Sequence, residues 1–177
     1  MDKILKRKAY EKIKNWKENN APDYALFIKG ARRTGKTTLA EEFGRKEYKS
    51  FITVNFQEAN DSIKNLFVNE LMNLDYVFST LELAYRTKLY PGQSLIILDE
   101  IQLFPEARQA LKTLLKDKRF DYIETGSLAG ITQKCKKKEI LIPSEEEELE
   151  IFPATEQPMQ TIFTEKFPAS DVSQRKK

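Results

Sequence analysis

The sequence predicts an α/β fold in which a mostly parallel sheet carries helices on both faces. Three observations support this. Short apolar runs of strand length alternate with longer segments of helical period, the pattern that parallel crossovers require. A glycine-bounded loop ending in Lys-Thr sits between the first strand and the helix after it. A later strand of four apolar residues runs straight into two carboxylates, Asp99 and Glu100.

The first element is a helix over residues 3–18. Leu5, Ala9, Ile13 and Trp16 fall at helical spacing and form one apolar stripe, while Lys3, Lys6, Arg7, Lys8, Lys12, Lys14 and Lys17 occupy the remaining surface. Those lysines read as a solvated face, with a nucleic-acid or membrane contact as the alternative. Asn19, Asn20, Pro22 and Asp23 end the helix. Tyr24–Lys29 is a strand buried on both faces, since its centre is continuously apolar. The helix after the glycines buries Leu39, Ala40 and Phe43. Ser50–Phe56 is a second strand, rich in β-branched and aromatic residues.

Residues 62–88 are helical in at least two pieces, with Ile63, Leu66, Phe67 and Leu71 on one apolar face. Pro91-Gly92 forms a turn. Leu95–Leu98 is a third, fully buried strand. Pro105 opens a further helix at its first position, with Glu106 in the first turn and Lys116 in the last. Ala107, Ala110, Leu111, Leu114 and Leu115 mark its buried side. Asp121–Thr125 is a fourth strand and Leu149–Phe152 a fifth. Lys134–Lys138 and Glu145–Glu148 are charge runs, and the proline-interrupted stretch 157–177 reads as a poorly ordered tail behind a core of 1–156.

Composition narrows the chemistry. The 177 residues are enough for one domain with a real core, and 30 basic against 27 acidic residues leave a net charge of only +3. So even a balance gives little ground for nucleic-acid binding. The absence of histidine excludes Ser-His and Cys-His catalysis and leaves carboxylates, lysine and a metal ion. A single cysteine, Cys135, forms no internal disulfide and is read as an incidental loop thiol, although the neighbouring lysines favour its thiolate. With no signal-peptide or membrane-spanning run, the expectation is a cytoplasmic protein without a membrane partner.

Gly30-Ala31-Arg32-Arg33-Thr34-Gly35-Lys36-Thr37 fits the pattern G-x-x-x-x-G-K-[ST] of a phosphate-binding loop, placed between a strand and a helix as that chemistry demands. The glycines admit a close backbone approach, and the loop amides ring an anion. The helix that begins near Lys36 and carries Thr38 directs its positive end at the same point. Lys36 is expected to reach the β- and γ-phosphates of a nucleoside triphosphate, and the Thr37 hydroxyl to ligate Mg²⁺. Arg32 and Arg33 either touch phosphate or a partner or are solvated loop residues.

In an open parallel sheet, ligands lie beyond the carboxyl ends of the strands, so Asp99 and Glu100 reach the level of that loop. They follow Lys36 by 63 residues (99 − 36). Asp99 is expected to hold Mg²⁺ through a coordinated water, and Glu100 to accept a proton from the attacking water. A kinase has no need of that second acid, so the pair favours hydrolysis. No N-K-x-D sequence selects guanine, which favours ATP. Glu124-Thr125-Gly126-Ser127 closes the fourth strand, where a hydroxyl of Thr125 or of Ser127 could orient the water. The residues leave that choice open.

GARRTGKTT, SLIILDEIQLFPEARQALKTLL and DYIETGS, in that order, resemble a family of bacterial and archaeal AAA-type ATPases. The resemblance, over roughly residues 5–155, implies a three-layer P-loop NTPase with a five-stranded sheet of order 5-1-4-3-2, ATP and Mg²⁺ as ligands, and a nucleotide-dependent switch. It matches Lys36, Thr37, Asp99 and Glu100 to the Walker positions and Thr125–Ser127 to the sensor segment. Family members often carry an arginine before the fifth strand, where this chain has Ile142-Pro143-Ser144-Glu145. They also carry a second domain after the core, whereas here 25 residues (177 − 152) follow Phe152. The expectation is therefore the core alone, acting on a missing domain or a protein partner and turning ATP over slowly. The alternatives are a non-catalytic ATP-binding module and a small-molecule kinase.

Overall fold

The computed structural model describes residues 2–127 and 146–151. The expectations for Cys135, the basic run 134–138, the segment 142–145, Phe152 and the tail 157–177 lie outside them.

Within the described residues, strands β1 (Ala25–Gly30), β2 (Ser50–Asn55), β3 (Ser94–Asp99), β4 (Asp121–Gly126) and β5 (Glu146–Ile151) form one sheet of order β2-β3-β4-β1-β5. All four ladders are parallel. This is the three-layer architecture and the strand order, read from the other edge, that the resemblance implies. Helices α1 (Asp2–Asn19) and α2 (Lys36–Glu47) cover one face. Helices α3 (Asp61–Leu66), α4 (Leu74–Tyr85) and α5 (Glu106–Asp117) cover the other. No helix among the described residues is long and apolar enough to cross a membrane.

The two-residue period of each strand divides the core cleanly. Leu26 and Ile28, Leu95 and Ile97, Ile123 and Leu149 point to the α1/α2 face, where Ile13, Trp16, Leu39, Ala40 and Phe43 meet them. Phe27, Ile96, Leu98 and Tyr122 point the other way, onto Ala107, Ala110, Leu111 and Leu114 of α5. Of the stripe read for α1, Ala9 packs against the core, Ile13 and Trp16 are fully buried, and Trp16 Nε1 donates to the Tyr24 carbonyl at 2.9 Å. Tyr10 anchors α1 to α2 through Glu47 Oε1 at 2.7 Å.

Three details differ from the sequence reading. Pro105 is the N-cap of α5, with helical angles (φ −62°, ψ −21°), and the helix begins one residue later, a shift within the ordinary fraying of a first turn. Residues 62–88 contain the two expected helices, but α3 stops at Leu66, and Leu71 packs onto the core from the connection before α4. Most of the acidic run belongs to β5, which starts at Glu146. An edge strand tolerates acids because it buries few side chains and can pair them. Lys29 Nζ lies 2.7 Å from Glu148 Oε2 and 4.0 Å from Glu150 Oε2, and Asn20 Nδ2 donates to Glu147.

Among the described residues, an ion pair between α5 and β4 lies inside the core. Arg108 of α5 and Glu124 of β4 are 1% and 0% exposed, with Nε 3.3 Å from Oε2, and the guanidinium also covers the Phe27 ring at 4.7 Å. Removing one member takes an opposite charge away from a fully desolvated ionic group. Arg108→Ala should therefore cost on the order of 3 to 5 kcal/mol, while Arg108→Met with Glu124→Leu should recover most of that loss. Thermal unfolding followed by circular dichroism checks both. A single variant that melts with the parent would show that the pair carries no such weight.

Candidate functional site

The loop between β1 and α2 takes its shape from two glycines that do different work. A Cβ on Gly30 would lie 2.3 Å from the Ile151 carbonyl oxygen, so only glycine lets β5 pass that close. Gly35 is the N-cap of α2 with φ 80°, left-handed backbone that suits a residue without Cβ, and it offers no side chain to cap the helix. Arg33 is also left-handed, at φ 64°. Together these turns leave the start of α2 without a side-chain cap, the kind of helix start that suits an anion. Thr34 Oγ1 donates to the Ala31 carbonyl at 2.9 Å and closes the loop on itself.

Lys36 is 5% exposed and folds back over the loop, donating to the carbonyls of Gly30 (3.2 Å) and Ala31 (2.7 Å). Burial lowers its pKa from the ordinary lysine value, and the nearby Glu100 and Asp99 charges oppose that shift. Ala31, Arg32, Arg33 and Thr38 are exposed around the loop, and Thr37 is half-buried.

The acids arrive on β3. Asp99 falls on the same side of that strand as Leu95 and Ile97, and Thr125 on the same side of β4 as Ile123. Both therefore face α2. Thr37 Oγ1 donates to Asp99 Oδ1 at 2.6 Å, and the Thr125 hydroxyl donates to the same oxygen. One carboxylate oxygen thus gathers a hydroxyl from the loop helix and a hydroxyl from the fourth strand, with Asp99 2% exposed. Thr125 also lies 3.4 Å from the Glu100 amide.

Glu100 leaves the strand in left-handed backbone (φ 56°, ψ 42°) and opens a 3₁₀ turn, η1 (Ile101–Leu103). Its carboxylate accepts from Gln102 Nε2, while Gln102 Oε1 accepts from the Ser127 amide at 3.1 Å. The structure thus brings Lys36, Thr37, Asp99, Glu100 and Thr125 together and reaches Ser127 through its backbone. The sequence reading left out Gln102. Its only signal was a polar residue within the otherwise apolar stretch Ile101–Phe104.

The donor set suits Mg²⁺. Hydroxyl and carboxylate oxygens are the ligands this ion accepts, and it commonly binds through one or two carboxylates plus phosphates and water. Among the described residues no group of three or more His, Cys, Asp or Glu forms a protein cage for a metal. Phosphate oxygens and water would have to complete the shell around Thr37 and Asp99.

Comparison with known proteins agrees with this geometry. No curated protein matches the sequence. Among solved structures, a chain in the structure of Drosophila ORC bound to AT-rich DNA and Cdc6 superposes with TM-score 0.53 at 12% identity, over 87% of this chain and 58% of that one. The corresponding complex with GC-rich DNA gives TM-score 0.53 at 11% identity, over 87% and 59%. This chain thus spans under two thirds of the length of those two chains, and identities so low speak to the fold alone. The crystal structure of the DnaC helicase loader matches with TM-score 0.45 at 18% identity, over 84% and 90%. The family model described as "AAA domain" matches residues 22–157, which include the phosphate loop, Asp99 and Glu100. The chain belongs to this AAA domain family.

Proposed function

We propose that this domain binds ATP with Mg²⁺ at the junction of β1, β3 and β4 and hydrolyses it, with the nucleotide state relayed to an attached domain or protein partner. The observation that carries the proposal is the meeting of Thr37 and Thr125 on one oxygen of Asp99, beside Lys36 and Glu100. A phosphate loop alone would serve many ligands. A loop hydroxyl paired with a strand-end carboxylate is the pair of residues that would hold a magnesium ion beside the phosphates.

The loop amides and Lys36 bind the phosphates. Thr37, with Asp99 behind it, would hold the metal, which supplies charge neutralisation on the phosphate oxygens when bound. Exchanging its two carbonyl partners for phosphate oxygens frees Lys36 from the loop it now closes. Glu100 stands one residue beyond Asp99 and is placed to take a proton from water. Thr125 fixes the rotamer of Asp99 from below.

Titration with ATP in the presence and absence of Mg²⁺, beside a phosphate-release assay, tests the reading. Asp99→Asn should weaken Mg²⁺-dependent ATP binding on the order of 10- to 100-fold, as loss of a metal's supporting carboxylate does, and leave metal-free binding unchanged. Equal affinity for parent and variant with Mg²⁺ present would sink the metal assignment. Saturable binding without phosphate release would favour a non-catalytic module, and release only with an added acceptor a kinase.

A further inference from the structure

Gln102 has no role in the reaction as described, yet it is 3% exposed and makes two directed hydrogen bonds. The chemistry of its neighbours fixes the orientation of its carboxamide. The Ser127 amide only donates, so the Gln102 oxygen must face it, as it does at 3.1 Å. On the other side the NH₂ group faces the Glu100 carboxylate and donates to it. A side chain of this length that accepts at one edge and donates at the other is glutamine. Glutamate would set two carboxylates together, lysine and arginine could not accept, and methionine could do neither.

The backbone supports the same arrangement. Ile101 is fully buried in the core beneath α5, and Leu103 N donates to the Glu100 carbonyl at 2.9 Å, so η1 is held at both ends. Glu100 itself sits in left-handed backbone, where few rotamers are free to a side chain with a Cβ. Ser127 follows β4, the strand whose Thr125 touches Asp99. Gln102 thus joins the segment after β3 to the segment after β4, and it does so on the half-buried Glu100 carboxylate.

We infer that Gln102 is a positioning residue for the hydrolytic step: it fixes the Glu100 carboxylate and ties it to Ser127, so that base and β4 segment move as a unit. This deepens the ATPase reading above and rests on it. A space-filling role would need only the volume of Gln102, whereas positioning needs both of its bonds.

The test is single-turnover phosphate release and Mg·ATP affinity for the parent, Gln102→Met, Gln102→Glu, Glu100→Gln and the double variant Glu100→Gln/Gln102→Met, with thermal melting as the check on folding. Gln102→Met preserves length and packing. It should leave affinity unchanged and slow phosphate release on the order of 10- to 100-fold, the usual consequence of a catalytic group displaced by about 1 Å. Gln102→Glu keeps an acceptor for Ser127 and loses the donor to Glu100, so it should be at least as slow. In the double variant, Gln102→Met should cost nothing beyond Glu100→Gln, because a residue acting through Glu100 has nothing left to position. Parent-like release from Gln102→Met, or a full additional loss in the double variant, overturns the inference while the ATPase reading stands. A parent that binds Mg·ATP and releases no phosphate overturns the ATPase reading itself, and this inference with it.

Discussion

Glu100→Gln should bind Mg·ATP as the parent does and release phosphate on the order of 10² to 10⁴-fold more slowly, the range a general base contributes. The amide keeps the size of the carboxylate but cannot take a proton from water. Its neighbours separate this effect from a structural one. Asp99, one residue earlier, is tied to Thr37 and Thr125, and neither bond involves the Glu100 side chain. The metal site should survive the substitution intact. Binding measured by calorimetry and release measured in a single turnover distinguish the two contributions. A variant that hydrolyses at the parent rate would show that Glu100 is only an acidic strand end.

Lys36→Ala is expected to lower ATP affinity tens- to hundreds-fold, on the order of 2 to 3 kcal/mol for a charge-assisted bond in a largely desolvated site. The fold should tolerate it. The ammonium donates to the carbonyls of Gly30, the last residue of β1, and of Ala31, so its contacts lie at the strand end and not in the apolar core. Removing a buried cation whose pKa is already depressed by burial relieves part of its desolvation cost. The melting temperature should therefore stay near that of the parent while binding collapses. Undiminished ATP affinity in a folded variant would remove the phosphate-loop reading.

Much of this was legible in the sequence because the relevant signals are local. The run Leu95–Leu98 could only be a buried strand, and the order strand, glycine loop, helix around Gly30–Thr37 fixes its own geometry. The stripe Ala107, Ala110, Leu111, Leu114 and Leu115 is fully buried or nearly so. What escaped depends on pairs that meet across the fold. Arg108 stands three residues before Leu111 and seven before Leu115, on the buried side of α5, but a charge there reads as solvated until Glu124 is seen opposite. Glu124 lies between Ile123 and Thr125, and only the sheet register shows that it faces α5. The strand character of Glu146–Glu148 was hidden because an edge position, not side-chain type, makes it a strand. Gln102 was invisible for a similar reason, since a 3₁₀ turn has no apolar period to betray it. How Thr125 and Ser127 differ needed coordinates: the threonine hydroxyl reaches Asp99, and Ser127 is engaged through its amide.

The alternation along β3 and β4 bears on which changes of chain length this domain can absorb. Asp99 and Thr125 face α2, while their immediate predecessors Leu98 and Glu124 face α5. Gaining or losing one residue inside either strand reverses the parity of everything that follows. A deletion upstream in β3 would turn Asp99 toward α5, into the place of Leu98, and bring Glu100 to the position that meets Thr37, leaving Ile101 where Glu100 stood. The connection between α3 and α4 carries no such parity. Met72 there is 99% exposed and Val68 48%, and extra residues would lengthen a surface turn without inverting any side chain. Variation in length should accordingly collect on that side of the domain and be excluded from the two strands whose odd and even positions hold the chemistry apart from the core.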